Sequence, residues 1–171
     1  MAEGRIQTPY GKVWYKRTGT QNKTPMLCLH GGPGMSSEYL RGLESLGDER
    51  EVIFYDQSGC GRSDRNLAKR YHTIDHFTNE IGVVRDALEL DEIVLFGHSW
   101  GGLLAIEYLA VSPATSGVRA AVLASPMVST WQWTEDMARN IQTLPKRLAN
   151  ALITGKPRRS SERAEQRFLK Q

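Results

Sequence analysis

No stretch of this sequence is apolar for long enough to cross a membrane, since a spanning helix needs about 20 such residues. The opening residues, MAEGRIQTPY, carry no apolar core of a secretion signal. The chain therefore reads as cytoplasmic, with no membrane partner. Cysteine is scarce. Cys28 and Cys60 are the two present, and they form no Cys-x-x-Cys pair, so zinc and redox pairing have no motif behind them. A disulfide is disfavoured in a reducing compartment. Cys28 sits in the apolar run MLCLHG and reads as a small core residue, whereas Cys60 sits in the glycine-rich stretch SGCGRS. Phosphate cradles are missing too: neither G-x-x-x-x-G-K-[ST] nor G-x-G-x-x-G occurs. There is no internal repeat and no low-complexity segment. Histidine is present at four positions, 30, 72, 76 and 98, all in the first 100 residues.

What is there is ordinary for a globular chain: 171 residues, 40% hydrophobic and 24% charged, enough to bury a sizeable core. The net charge of +3 conceals an asymmetry. Residues 139–171 hold nine Lys/Arg against two Asp/Glu, and residues 1–138 hold thirteen against seventeen. A basic tail can bind an acidic surface, but no nucleic-acid motif accompanies it. It reads as a solvated helix face and a loose end, with no nucleic-acid partner.

Apolar patterning gives a strand–helix alternation. RIQTPYGKVWYKRT (5–18) reads as two short strands about a turn, with Pro9 where a type I or II turn accepts it. MLCLHG (26–31), EVIFYD (51–56), EIVLFG (92–97) and RAAVLAS (119–125) read as further strands. SSEYLRGLESLG reads as a helix capped by Ser36 or Ser37 and stopped by Gly47. A loop is expected from Gln57 to about Tyr71. Ile74, Phe77, Ile81, Val84 and Leu88 fall on one helical face, with Thr73 as N-cap. Trp100 to about Ala110 is a helix that stops before Pro113. From Pro126 the pattern is helical and tryptophan-rich. Such alternation predicts an α/β fold with a mainly parallel sheet and flanking helices. Ligands then bind beyond the carboxyl ends of the strands, where three glycine-rich loops should converge.

The first of these is GHSWGG, in which Ser99 lies between Gly97 and Gly101 as G-x-S-x-G. A predicted strand precedes it and a predicted helix follows, the context of a nucleophile elbow that presents a serine hydroxyl. The alternative is a plain strand–helix turn with a polar cap. The second is HGGPG (30–34). Acyl transfer needs two backbone N–H donors at the developing oxyanion. One is the amide of Trp100, the residue after the serine. The other would come from the earlier loop, and since Pro33 has no N–H it falls to Gly31 or Gly32. The third is DQSGCGRS (56–63), whose polar groups read as bracing for the rim without an assigned chemical step.

HGGPG, DQSGCGRS and GHSWGG in this order resemble the proline iminopeptidase (prolyl aminopeptidase) family of α/β-hydrolase serine peptidases. The resemblance runs from about residue 5 to 153, and Trp131–Leu144 is similar to the start of that family's helical cap. It implies an α/β-hydrolase core over 1–125 and a partial cap with a basic tail over 126–171. It also implies release of an N-terminal residue, often proline, from small peptides without metal or cofactor. Ser99 would be the nucleophile, and Gly32 with the Trp100 amide would form the oxyanion hole.

A serine hydroxyl needs a base to take its proton, and here the chain departs from the family. The triad order is Ser, then Asp or Glu, then His, yet no histidine follows Ser99. The later acids are Glu107, Glu135, Asp136, Glu162 and Glu165, all in predicted helices or the tail. Among the earlier histidines, His98 adjoins Ser99 and should point elsewhere, His30 should brace the loop backbone, and His72 and His76 should lie on the surface. The closing stretch SERAEQRFLKQ starts like a capped helix, with Ala164, Phe168 and Leu169 on one face, after a TGKPRRS loop. The expectation is the N-terminal half of a larger hydrolase, with an exposed sheet edge and little activity alone. The alternatives are a non-catalytic fragment or binding module, and an esterase or lactonase on the same scaffold. A nucleophilic aspartate is excluded by Ser99.

Overall fold

The computed structural model describes residues 1–111 and 117–154. Six strands form one mixed sheet: β1 (Ala2–Thr8), β2 (Gly11–Thr18), β3 (Met26–Leu29), β4 (Val52–Tyr55), β5 (Ile93–His98) and β6 (Val118–Ala124), in the order β1-β2-β4-β3-β5-β6. β1 and β2 are an antiparallel hairpin, and β2 runs antiparallel to β4. The β4–β3, β3–β5 and β5–β6 pairings are parallel. The hairpin turn is held by Thr8, whose hydroxyl donates to Gly11 O at 2.8 Å and accepts from Tyr10 N at 3.1 Å.

β3 and β4 are apolar and buried at every position, and β5 is buried from Ile93 to Gly97, because both faces of the sheet are covered there. Side chains alternate across the pleat. Leu27, Leu29, Ile53, Tyr55, Ile93 and Leu95 face α1 (Ile74–Ala87) and α2 (Trp100–Val111). Met26, Cys28, Val52, Phe54, Val94 and Phe96 pack on the other face with Trp14 and Leu40. Both cysteines are buried and free. Each buried Leu, Ile or Phe contributes about 2 kcal/mol.

α1 follows the expected stripe. Phe77, Ile81 and Val84 are buried, and Thr73 accepts the His76 amide at 3.2 Å as N-cap. Ile74, in the first turn, is instead partly exposed. The segment after HGGPG differs more. It is a 3-10 helix, Ser37–Asp48, and runs through Gly47. Ser36 stands at the N-cap position with no side-chain bond, and Ser37 turns its N–H and Oγ to the buried Asp56 carboxylate at 2.7 and 2.6 Å. The carboxylate is the stronger acceptor and takes the bonds a cap would have made. Gly47 permits a close approach: Thr20 N donates to its carbonyl at 2.9 Å, and a Cβ on Gly19 would lie 2.6 Å from Gly47 Cα. The loop from Gln57 contains one short 3-10 turn, Lys69–Tyr71.

The chain divides into two compact units, the first being Met1–Val128 and the second starting at Ser129. β6 ends the sheet in the first unit, with Val122 and Leu123 exposed. The second unit contains α3 (Thr130–Gln142) and α4 (Lys146–Thr154), with Trp131 and Trp133 exposed on α3. Ser129 caps α3 by accepting Gln132 N at 3.1 Å. Thr154, first residue of the expected TGKPRRS loop, closes α4. The rest of that loop, the SERAEQRFLKQ helix with Ala164, Phe168 and Leu169, and Pro113 lie outside the described residues. No helix among the described residues is long and apolar enough to cross a membrane.

Candidate active site

β5 ends at His98 and α2 starts at Trp100, leaving Ser99 alone on the turn with φ +53°. A non-glycine residue rarely holds that conformation, which costs on the order of 1 kcal/mol or more. Here the backbone is secured on all sides. Ser99 N donates to Ala124 O at 3.0 Å, and Ser99 O accepts from Gly102, Leu103 and Met127 at 2.9, 3.2 and 3.1 Å. The neighbouring glycines are required by contact. A Cβ on Gly97 would strike Gly101 O, and one on Gly101 would strike Leu29 O and lie 2.8 Å from His30 O. The elbow is thus pressed directly against the end of β3, where HGGPG starts. Ser99 is half-buried, and no group among the described residues hydrogen-bonds its hydroxyl. The Trp100 amide, first in α2, has no acceptor within the helix.

The HGGPG loop is fixed peptide by peptide. In the His30–Gly31 peptide, His30 O accepts from Gln57 Nε2 at 2.9 Å and Gly31 N donates to the Tyr39 hydroxyl at 2.7 Å. In the Gly31–Gly32 peptide, Gly31 O lies 2.8 Å from His30 Nδ1. Gln57 N donates to His30 Nε2 at 3.0 Å. An amide can only donate, so Nε2 carries no proton and Nδ1–H is the donor to Gly31 O. A trans peptide points its N–H opposite to its C=O. Gly32 N–H therefore faces away from the His30 ring, and it has no hydrogen-bond partner among the described residues. Of the two candidate donor amides in HGGPG, Gly31 is committed and Gly32 is free among the described residues.

The third loop joins the other two. Besides its bonds to His30, Gln57 accepts the Trp100 indole N–H at 3.1 Å. Asp56 holds Ser37 and, through Oδ2, Arg62 N at 2.8 Å. Ser58 N and Oγ donate to Glu80 of α1. Burial pushes the Glu80 carboxyl up to about 7, against the Ser58 bonds that favour its charged form. Burial likewise lowers the His30 imidazole and raises the Cys60 thiol.

The histidines fall as follows. His30 is fully buried with both nitrogens committed. His98 Nδ1 is bonded to the Tyr39 hydroxyl at 2.8 Å. His72 is exposed. His76, expected on the surface, is buried: it packs edge-on against Tyr10 and Phe77, at centroid distances of 4.5 and 5.0 Å. Its place in the first turn of α1, beneath the β1–β2 turn, explains the difference. Glu107 is half-buried on α2. Glu135 and Asp136 are on α3, Asp136 paired with Arg139 at 3.2 Å. Glu162 and Glu165 lie outside the described residues. Among the described residues no three His, Cys, Asp or Glu side chains are grouped as metal ligands.

Tyr39, Gln57 and Glu80 carry this geometry, and none of the three is among the site residues expected from the sequence. Glu80 has a signal: it lies three residues after Phe77 and four before Val84, on the apolar face of α1. Tyr39 has none.

The alpha/beta hydrolase fold model matches residues 24–169. A proline iminopeptidase of Heyndrickxia coagulans is 42% identical over 144 residues, covering 84% of this chain and 49% of the relative. The crystal structure of a Mycobacterium smegmatis proline iminopeptidase superposes with a TM-score of 0.82 at 27% identity, over 98% of this chain and 60% of that one. The crystal structure of VinJ gives 0.84 at 31%, over 99% and 59%. The chain spans about half the length of the curated relatives it matches.

Proposed function

The chain belongs to the alpha/beta hydrolase fold family, and we propose that its complete form is a serine aminopeptidase of the proline iminopeptidase type. The carrying observation is the free Gly32 amide. Three neighbouring bonds hold the two peptides of the HGGPG loop and leave that one donor uncommitted, on the loop that abuts the Ser99 elbow. Ser99 Oγ attacks the carbonyl of the N-terminal residue as a base takes its proton. Gly32 N–H and Trp100 N–H stabilise the oxyanion. The shortened peptide leaves with a proton on its new amine, and water releases the acyl group. The names of the relatives support a small peptide with a free, proline-like N-terminus as substrate.

The base and acid belong to a second half like that of the relatives. Within these 171 residues no histidine follows Ser99, and the four that precede it are engaged elsewhere, exposed or packed in a cluster. Residues 1–125 act as the N-terminal part of the hydrolase core, and residues 126–171 contribute part of a helical cap. Two buried, free cysteines support a cytoplasmic setting.

The test joins this chain to the second half of the Heyndrickxia coagulans relative. Turnover is compared for a prolyl amide, its N-acetylated form and a simple ester. The expected result is cleavage of the free-amine substrate, with acetylation abolishing it. Equal turnover of the acetylated compound, or preference for the ester, overturns the aminopeptidase assignment.

A further inference from the structure

We infer that Tyr39 is a positioning residue for the oxyanion loop, and that His98 orients it through a relay running Gly31 N–H to Tyr39 O–H to His98 Nδ1. The inference rests on the reading of Gly32 as an oxyanion donor. Its geometry stands on its own. The Tyr39 oxygen lies 2.7 Å from Gly31 N and 2.8 Å from His98 Nδ1, and the two rings meet edge-on at 5.3 Å. A phenol has one proton to give. Gly31 N–H takes that oxygen as acceptor, the inferred relay passes the phenol proton on to His98 Nδ1, and each bond polarises the next. In this relay His98 Nδ1 is the acceptor and the ring proton is on Nε2. Burial raises the phenol further above its ordinary range, which keeps it a neutral donor near pH 7.

The relay spans the two loops on which the chemistry depends. His98 immediately precedes Ser99 on β5, and Gly31 immediately precedes Gly32. Tyr39 comes from a third element, the 3-10 helix, which Ser37 ties to Asp56. Space at the junction is small: a Cβ on Gly31 would lie 2.9 Å from the Tyr39 oxygen and 3.2 Å from His98 Nδ1. The hydroxyl is therefore a spacer of fixed length between elbow and loop. The His30 ring sets the Gly31–Gly32 peptide from one side, and Tyr39 sets the preceding peptide from the other.

NMR on the 15N-labelled full chain tests this without any substrate. Wild type should show His98 with the proton on Nε2, a slowly exchanging Gly31 amide, and Gly31 and Gly32 N–H residual dipolar couplings that fit the structure. Tyr39→Phe keeps the ring and removes the relay. It should speed Gly31 exchange about tenfold, the factor of one lost hydrogen bond. It should also shift the Gly31 and Gly32 couplings while those of β3, β4 and β5 stay fixed. His98→Ala leaves Tyr39 intact and should produce the same shifts in smaller measure, which keeps the test open if Tyr39→Phe fails to fold. A proton on His98 Nδ1 in wild type, or unchanged Gly31 exchange and couplings in either folded variant, overturns the inference. These signals do not depend on peptidase activity. Failure of the aminopeptidase assignment would leave them standing, and their failure would leave that assignment intact.

Discussion

Glu80 is the residue at which chemistry and packing conflict most. The residue is 4% exposed and its carboxyl accepts from both Ser58 N and Ser58 Oγ, so it anchors the loop whose next residue back, Gln57, holds His30 and Trp100. Burial still wins over those bonds and raises the group from an ordinary 4.5 to about 7. A raised carboxyl means that the native state binds a proton the unfolded chain has released. The resulting stability is present in full below about pH 4.5 and is lost as pH rises to about 7. A rise of that size corresponds to a loss of about 3 kcal/mol. Glu80→Gln keeps the shape and removes the titration. Urea midpoints of both proteins at pH 5 and pH 8 should show wild type losing about 2 kcal/mol more than the variant across that interval. An equal change in the two proteins would contradict the assignment. His30, lowered by burial, acts in the opposite sense, its contribution being lost as pH falls below 6.5. It does so equally in both proteins and cancels in the comparison.

At the scale of elements, the site depends on how closely α2 approaches β3. Gly101 is the contact point, and a methyl there meets backbone oxygen on two residues, Leu29 and His30. Backbone cannot rotate aside as a side chain can. Gly101→Ala should therefore destabilise by about 3 kcal/mol, at the upper end of overpacking costs. Gly82, inside α1, has nothing within 4 Å of an added Cβ. The same substitution there should stabilise by about 1 kcal/mol through helix propensity. Thermal or urea unfolding of the pair checks both signs, and similar effects at the two positions would contradict the packing argument. The same distinction explains what is legible in the sequence. The strands, α1 with its Thr73 cap, and the Ser99 elbow all rest on local patterns: apolar runs, a 3.6-residue stripe, glycines flanking a serine. Local pattern finds the N-cap position at Ser36 but expects a capping bond from Ser36 or Ser37 that is not made, and it stops the helix at Gly47, one residue early, because the deciding partners, Gly19 and the Asp56 carboxylate that captures Ser37, are distant in sequence. It leaves His76 on the surface because nothing local announces Tyr10 packed against it. DQSGCGRS is legible as bracing, but Gln57 as the link between His30 and Trp100 exists only once three strand ends are brought together.

Across the whole molecule, Ser99 sits on a held turn, Gly32 and Trp100 carry the proposed oxyanion donors, and among the described residues no group hydrogen-bonds the Ser99 hydroxyl as a base would. Robust catalysis needs the nucleophile and its base together, because residues that act as a unit fail as a unit. Where triad members are removed, the rate that survives, about 10³–10⁴-fold over water, comes from oxyanion donors and binding and not from the nucleophile. The chain on its own should therefore behave like a protein whose serine has been deleted. The direct measurement is turnover of a prolyl amide by the purified 171-residue chain beside its Ser99→Ala variant, at equal concentration and with both shown to be folded. The expected result is the same low rate from both. A robust rate from the unsubstituted chain that disappears in Ser99→Ala would show that a base does reach Ser99 within these residues, and would contradict the account.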